Sequence, residues 1–218
     1  MTQQLDSPRA RVPRPSRFLV RALFAIAIGV TPAKAADIVA HPGSDGSAIV
    51  RLSGTILPSD EGRFVAAVAR VRPRVVEIGG PGGDFMTATH IGVVIKALGI
   101  ATHATSECLS ACAYVWMAGD QMIVDEGVRV SIHLPSVDAS VPYAGPPWLP
   151  YAALGWYLGR LDFSTAMAES FYIEATDRGT VANRQFDLVE FARRWNAPVE
   201  VIPAAGVTPV SSIGRTSP

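Results

Sequence analysis

Val75-Val-Glu-Ile-Gly-Gly-Pro-Gly-Gly-Asp84 is the stretch on which the fold turns. Val75 to Ile78 is a short β-branched run that suits a strand. Gly79 to Gly83 is a turn cluster with no tolerance for regular structure. Asp84 then caps a helix, since its side chain can accept from the free amides of the first turn. Strand, glycine turn and capped helix make one β-to-α junction of a wound sheet with parallel strands. The same grammar extends to both sides. Upstream, Ala48 to Ile56 alternates apolar and polar residues as a strand does. Pro58-Ser59-Asp60-Glu61 starts a helix with Ser59 as N-cap, Phe64, Val65, Val68 and Val71 as its apolar stripe, and Pro73 as its stop.

Downstream, the helix from Asp84 carries Met86, Val93, Val94 and Leu98 and stops at Gly99. A strand over Ile100 to Thr105 follows, then a bend at Cys108-Leu-Ser-Ala-Cys112 into an apolar helix from Ala113 to Ala118. Gly127 precedes a strand over Val128 to Ile132 that ends at His133. Residues 135–150 read as loop, with Tyr143 and Trp148 among prolines. Helices are expected over 151–161, 164–176 and 187–195. The sequence thus predicts an α/β fold with a helical C-terminal part.

The 218 residues carry no net charge, but the balance is uneven. Arg9, Arg11, Arg14, Arg17, Arg21 and Lys34 face only Asp6 in residues 1–35, leaving 13 basic and 18 acidic groups beyond. A mildly acidic body has no footprint for nucleic acid. Leu23-Phe-Ala-Ile-Ala-Ile-Gly-Val30 is an apolar segment too short to span a bilayer comfortably, and Ala33-Lys-Ala35 is a small-x-small cleavage site. We therefore expect a signal peptide over 1–35, a domain over 36–202 and a flexible tail over 203–218. The mature chain would begin at Ala36 in the periplasm or outside the cell, with no stable membrane anchor.

In wound α/β sheets, chemistry gathers at the carboxyl ends of the strands. The glycine run, Ser110 and His133 all fall there. A serine attacks a carbonyl only when a base takes its proton, and histidine is the usual base near neutral pH. Ser110 stands where strand gives way to helix, so the Ala111 amide can point at the attacked oxygen. Gly83 can supply a second oxyanion donor, because glycine lets backbone approach substrate closely. Taken singly, each feature has a plain structural alternative: a helix cap, a satisfied polar residue, a tight turn. Cys108 and Cys112 bracket the serine. Across a bend they can reach the ~5.5–6 Å Cα spacing of a disulfide; two small buried thiols packing the helix are the alternative. Without a local His or acid cluster they make an incomplete zinc site, so no metal is expected.

Leu52-Ser-Gly54, Val76 to Gly83, Cys108 to Cys112 and Ile132-His133 together resemble the ClpP/crotonase superfamily, and most of all exported bacterial proteins related to the proteolytic subunit of Clp protease. The resemblance covers residues 48–135 well and the C-terminal third loosely. It implies repeated ββα units and a helical C-terminal part. It also implies Ser110 as nucleophile, His133 as base, and Gly83 with Ala111 as oxyanion hole, with gaps of 27 and 23 residues between Gly83, Ser110 and His133. Gly80 stands where the family usually has serine. The family's acid follows a long helix, which selects Asp177 over Asp162 and Asp187. The activity implied is a serine hydrolase, a peptidase acting on peptides or unfolded chains without a cofactor, in a homo-oligomer. The alternatives are an acyl-CoA enzyme, which export argues against, and a non-catalytic binding or assembly module. A Ser–Lys dyad is excluded by counting: beyond the leader the single lysine is Lys96, which precedes the serine.

Overall fold

The computed structural model describes residues 34–135, 146–179 and 186–203, with the side chains of 177–179 left out. Nearly all of the expected leader and tail therefore lies outside the described residues, as does Tyr143. The frame is β1 (Asp37–Pro42), β2 (Ala48–Ile56), α1 (Asp60–Val71), β3 (Val75–Gly83), α2 (Phe85–Ala97), β4 (Ala101–Leu109), α3 (Ala111–Trp116), β5 (Met122–Asp125) and β6 (Val130–Ile132). The C-terminal part adds α4 (Leu149–Arg160), α5 (Thr165–Gly179), β7 (Phe186–Asp187), α6 (Leu188–Arg194) and β8 (Val199–Ile202). The main sheet runs β1-β2-β3-β4-β5-β8, antiparallel at β1/β2 and parallel from β2 onward.

One strand divides its loyalty. The first half of β4 pairs with β5 through Thr102, His103 and Ala104. Its last two residues pair instead with β6, Cys108 opposite Val130 and Leu109 opposite Ser131. A register shift between Ile78 and Gly80 on β3 accompanies the bend. The end of β4 is thereby carried away from β5 and laid beside the strand that leads to His133.

The core lies on one side of the sheet, where Val50, Leu52, Val76, Ile78 and Ala104 meet Phe64 and Val68 of α1, Ala88, Ile91 and Ile95 of α2, and all of α3. Burying each larger side chain stabilises the fold by about 1.5–3 kcal/mol. Trp116 is fully buried and its indole N–H donates to Ile123 O at 2.8 Å, so the polar tip is satisfied. A second cluster, Phe171, Phe186 and Phe191, packs edge to face with centroids 5.4–5.8 Å apart. It ties α5 and α6 to the short strand β7. On the opposite face of the sheet Arg51, Glu77 and His103 stand in one register row, with Arg51 paired to Glu77 at 2.6 Å.

Several expectations are corrected. The glycine run is strand, not turn: β3 continues to Gly83, which pairs with Ile56. Gly80, Gly82 and Gly83 have φ of 143°, 101° and 137°, values that side chains rarely adopt. A Cβ on Gly80 would also stand 2.5 Å from Gly54 O, so glycine there permits close strand contact. Helix α2 buries Ala88, Ile91 and Ile95, while Met86 and Leu98 are exposed. That helix is apolar nearly all round, so spacing alone could not choose its inward face. In α1, Val65 is exposed and Ala67 takes its place. Ser59 makes no side-chain cap; the neighbouring Asp60 accepts from Leu57 N at 2.8 Å. The strand expected over 128–132 is only Val130–Ile132, and β1, β5, β7 and β8 were not foreseen. Those four have two to six residues each, too few for alternation to register.

Gly92 of α2 is where α4 docks: a Cβ there would collide with the Tyr157 hydroxyl. Gly92→Ala is therefore expected to cost about 1–3 kcal/mol by overpacking and to lower the thermal midpoint by several degrees. An unchanged midpoint would show that α4 does not seat there.

Candidate active site

The turn from β4 into α3 is a single residue. Ser110 has φ 54° and ψ −121°, outside the regions that non-glycine residues favour. Such a conformation costs about 1–3 kcal/mol and persists only where its surroundings over-determine it. They do. The Ser110 amide donates to Ser131 O at 2.9 Å, and Ala113 N donates to Ser110 O at 3.0 Å. On either side Cys108 and Cys112 form a disulfide with a Cα separation of 5.1 Å, which decides between the two readings of that pair. Both cysteines are buried.

His133 follows β6 directly and is half-buried. Since Leu109 lies opposite Ser131, Ser110 and His133 stand at the ends of adjacent parallel strands. Among the described residues no hydrogen bond joins them. The Nδ1 atom of His133 lies 2.7 Å from Leu134 O. A carbonyl only accepts, so Nδ1 is the donor of this pair, and in the neutral ring Nε2 is left as the acceptor. Pro135 follows Leu134 and holds it toward extended geometry, which fixes the direction of that carbonyl.

Tyr114 binds the parts together. Its hydroxyl donates to His133 O at 2.9 Å, and its ring meets Phe85, the first residue after the Asp84 cap, edge to face at 4.9 Å. Tyr157 of α4 donates in turn to Tyr114 O at 2.5 Å. Burial pushes both phenols well above their ordinary value.

The glycine strand also reaches the elbow. A Cβ on Gly82 would stand 2.7 Å from Ala111 N and 2.9 Å from Ser110 Cβ. Gly82, not singled out from the sequence, is thus the glycine against the elbow, while Gly83 packs against Ile56 of β2. The signal available was the Gly-Gly pair itself, which does not say which member faces which neighbour. A shallow groove of about 500 Å³ reaches the elbow's neighbour Leu109. It is lined by Ser53 and Gly54 of β2, Gly79, Gly80 and Pro81 of β3, and Ser106, Glu107 and Leu109 of β4, while Ser110 and His133 lie outside its lining. A smaller cavity, about 190 Å³, opens near Lys96, Met122 and Trp195 at the other ends of the strands, remote from Ser110.

The three acids considered from the sequence differ sharply. Asp162 turns the chain between α4 and α5, is 80% exposed and pairs with Lys96 at 3.2 Å. Asp187 caps α6, accepting from Val189 N at 2.8 Å and Glu190 N at 3.1 Å. Asp177 lies within the last turns of α5, not beyond its end, and its side chain lies outside the described residues.

This architecture is the ClpP/crotonase-like α/β fold. No protein-family model matches the chain, and no curated protein does. Among solved structures, a point mutant of ClpP1 from Listeria monocytogenes superposes with a TM-score of 0.50 at 16% identity, over 72% of this chain and 92% of that one. ClpP1 from the same organism gives 0.49 at 16%, over 72% and 91%. A mutant of a membrane-bound stomatin-specific protease gives 0.45 at 16%, over 71% and 77%.

Two outcomes are expected. Neither thiol should be alkylated in native protein, even with reductant present, and both should be after denaturation and reduction. Modification of native reduced protein would contradict the burial of the bridge. The tyrosines make an alkaline case. A phenol raised in the folded state stays protonated there, so stability is unaffected below the unfolded value of about 10 and declines as pH rises beyond it. Near-ultraviolet titration should therefore show Tyr114 and Tyr157 ionising only as the protein unfolds. Their ionisation in step with exposed tyrosine, before any loss of structure, would refute this.

Proposed function

We propose that the chain is an exported serine hydrolase of peptidase type, working on peptides or unfolded chains. The observation that carries this reading is the strained Ser110, held at the end of β4 by a hydrogen bond to the strand that leads into His133. A backbone forced into a rare conformation at a serine on the strand end next to a histidine is what a nucleophile elbow requires.

In this reading Ser110 Oγ attacks the carbonyl carbon while His133 Nε2 takes its proton. The oxygen that becomes negative is met by the Ala111 amide and by an amide of the glycine strand, assigned to Gly83. The imidazolium then protonates the leaving amine, and water repeats the sequence to release the acyl group. Asp177 as third member rests on family resemblance. The Leu134 carbonyl already orients the ring and sets its tautomer. The glycine-lined groove offers exposed backbone beside the elbow, which suits an extended peptide.

Export is supported by the basic leader, its short apolar segment and Ala33-Lys-Ala35. Among the described residues no helix is long and apolar enough to cross a membrane. A homo-oligomer is supported by Trp148, Leu149, Tyr151 and Trp156, large apolar side chains exposed along and just before α4.

Labelling of the mature protein by a fluorophosphonate probe tests the chemistry. Wild type should react at Ser110 and Ser110→Ala should not. His133→Ala should slow labelling by roughly a thousandfold with its fold intact by circular dichroism, as loss of a triad base does. A wild-type protein that neither labels nor hydrolyses peptides would leave the binding-module reading in its place.

A further inference from the structure

Exposure falls steeply over Lys34, Ala35 and Ala36. Lys34 is 82% exposed in its side chain and pairs with the exposed Asp37, an interaction worth little in water. Ala35 is half-buried, and Ala36 is 1% exposed. The bond between Ala35 and Ala36 is the one that the small-x-small motif marks for cleavage.

What receives Ala36 is a buried carboxylate. Asp60, fully buried at the start of α1, accepts from Ala36 N at 3.1 Å and Leu57 N at 2.8 Å through Oδ2. Its Oδ1 accepts from Arg63 Nη1 at 2.6 Å, and Arg63 also donates to Ala36 O at 2.9 Å. The Ala36 Cα lies 3.7 Å from where a Cβ on Gly54 would stand, and Gly54 in turn lies against Gly80 of the glycine strand. The seat is therefore built into the end of β2, the strand that pairs with Gly83.

We infer that Asp60 is the binding site for the new amino terminus of the processed chain. A leader peptidase hydrolyses the Ala35–Ala36 bond with one water, leaving a carboxylate on Ala35 and an amine on Ala36 that is protonated at neutral pH. The amide donor on the Asp60 carboxylate becomes an ammonium, so a hydrogen bond with one charged partner becomes an ion pair with two. Asp60 and Arg63 of α1 are the charged groups that face this amine. Lys34 departs with the leader, and Asp37 is exposed. Processing gives up the bridge between Ala35 and Thr55 and gains this ion pair, which holds the N-terminal seam of the sheet more firmly.

The inference rests on the export reading, and the experiment separates the two. Intact mass of the protein recovered outside the cytoplasm first reports where the chain begins. Failure to leave the cytoplasm, with Met1 retained, overturns the export reading, and an exported chain with a start elsewhere than Ala36 overturns this inference alone. With the start at Ala36 established, two chains are compared at pH 7, one beginning at Ala36 and one at Lys34. The Ala36 chain should melt several degrees higher. Its α-amine should be acylated by an activated ester at least tenfold more slowly than in Asp60→Asn. Equal melting of the two chains, or an amine as reactive in wild type as in Asp60→Asn, overturns the pairing alone. The first comparison keeps Asp60 in place, so it decides the matter even if Asp60→Asn does not fold.

Discussion

The hydrogen bond from the Ser110 amide to Ser131 O is the constraint on which the rest of the site depends. It exists because β4 leaves β5 after Ala104 and takes β6 as its partner at Cys108. Had the β4/β5 register continued, Ser110 would stand opposite Val130, two residues further from the histidine than the β6 register places it. The switch needs a neighbour that yields, and β3 yields through its register shift and its glycines. The glycine strand thus has two jobs that reinforce each other. It lets β4 bend, and it lies with Gly82 against the elbow that the bend creates.

Tyr114 turns this local arrangement into one unit. Its main chain belongs to the elbow helix, its ring touches the first residue of α2, and its hydroxyl holds the peptide carrying the imidazole. Buried hydrogen-bonded networks of this kind rigidify when every member is satisfied. Among the described residues no buried side-chain polar atom lacks a partner. The contribution of α4 comes through Tyr157, whose hydroxyl reaches the Tyr114 carbonyl across the space that Gly92 leaves open.

How much of this could be read in the sequence follows from the length scale of each interaction. The β2–α1–β3–α2–β4 frame was legible from the alternation of β2, the β-branched start of β3 and the Asp84 cap, which accepts from Thr87 N as its position implies. The elbow was legible because one serine sits between a strand and a helix. What escaped is non-local. No local pattern announces that Met122–Asp125 is a strand, since its four residues matter only once β4 and β8 flank them. Nor does the run Gly79 to Gly83 reveal that it pairs with β2 in extended form. In the C-terminal part, Asp162, Asp177 and Asp187 look alike on paper, and only partners separate a turn residue from a cap.

The disulfide has a consequence for the order of events. A bond whose two sulfurs lie inside the finished core has to be made before that core closes, because an oxidant cannot reach thiols already packed beneath α3. Oxidation therefore belongs to the interval before the core closes over Cys108 and Cys112. Chains that collapse first, in a reducing compartment, would trap a dithiol at the turn.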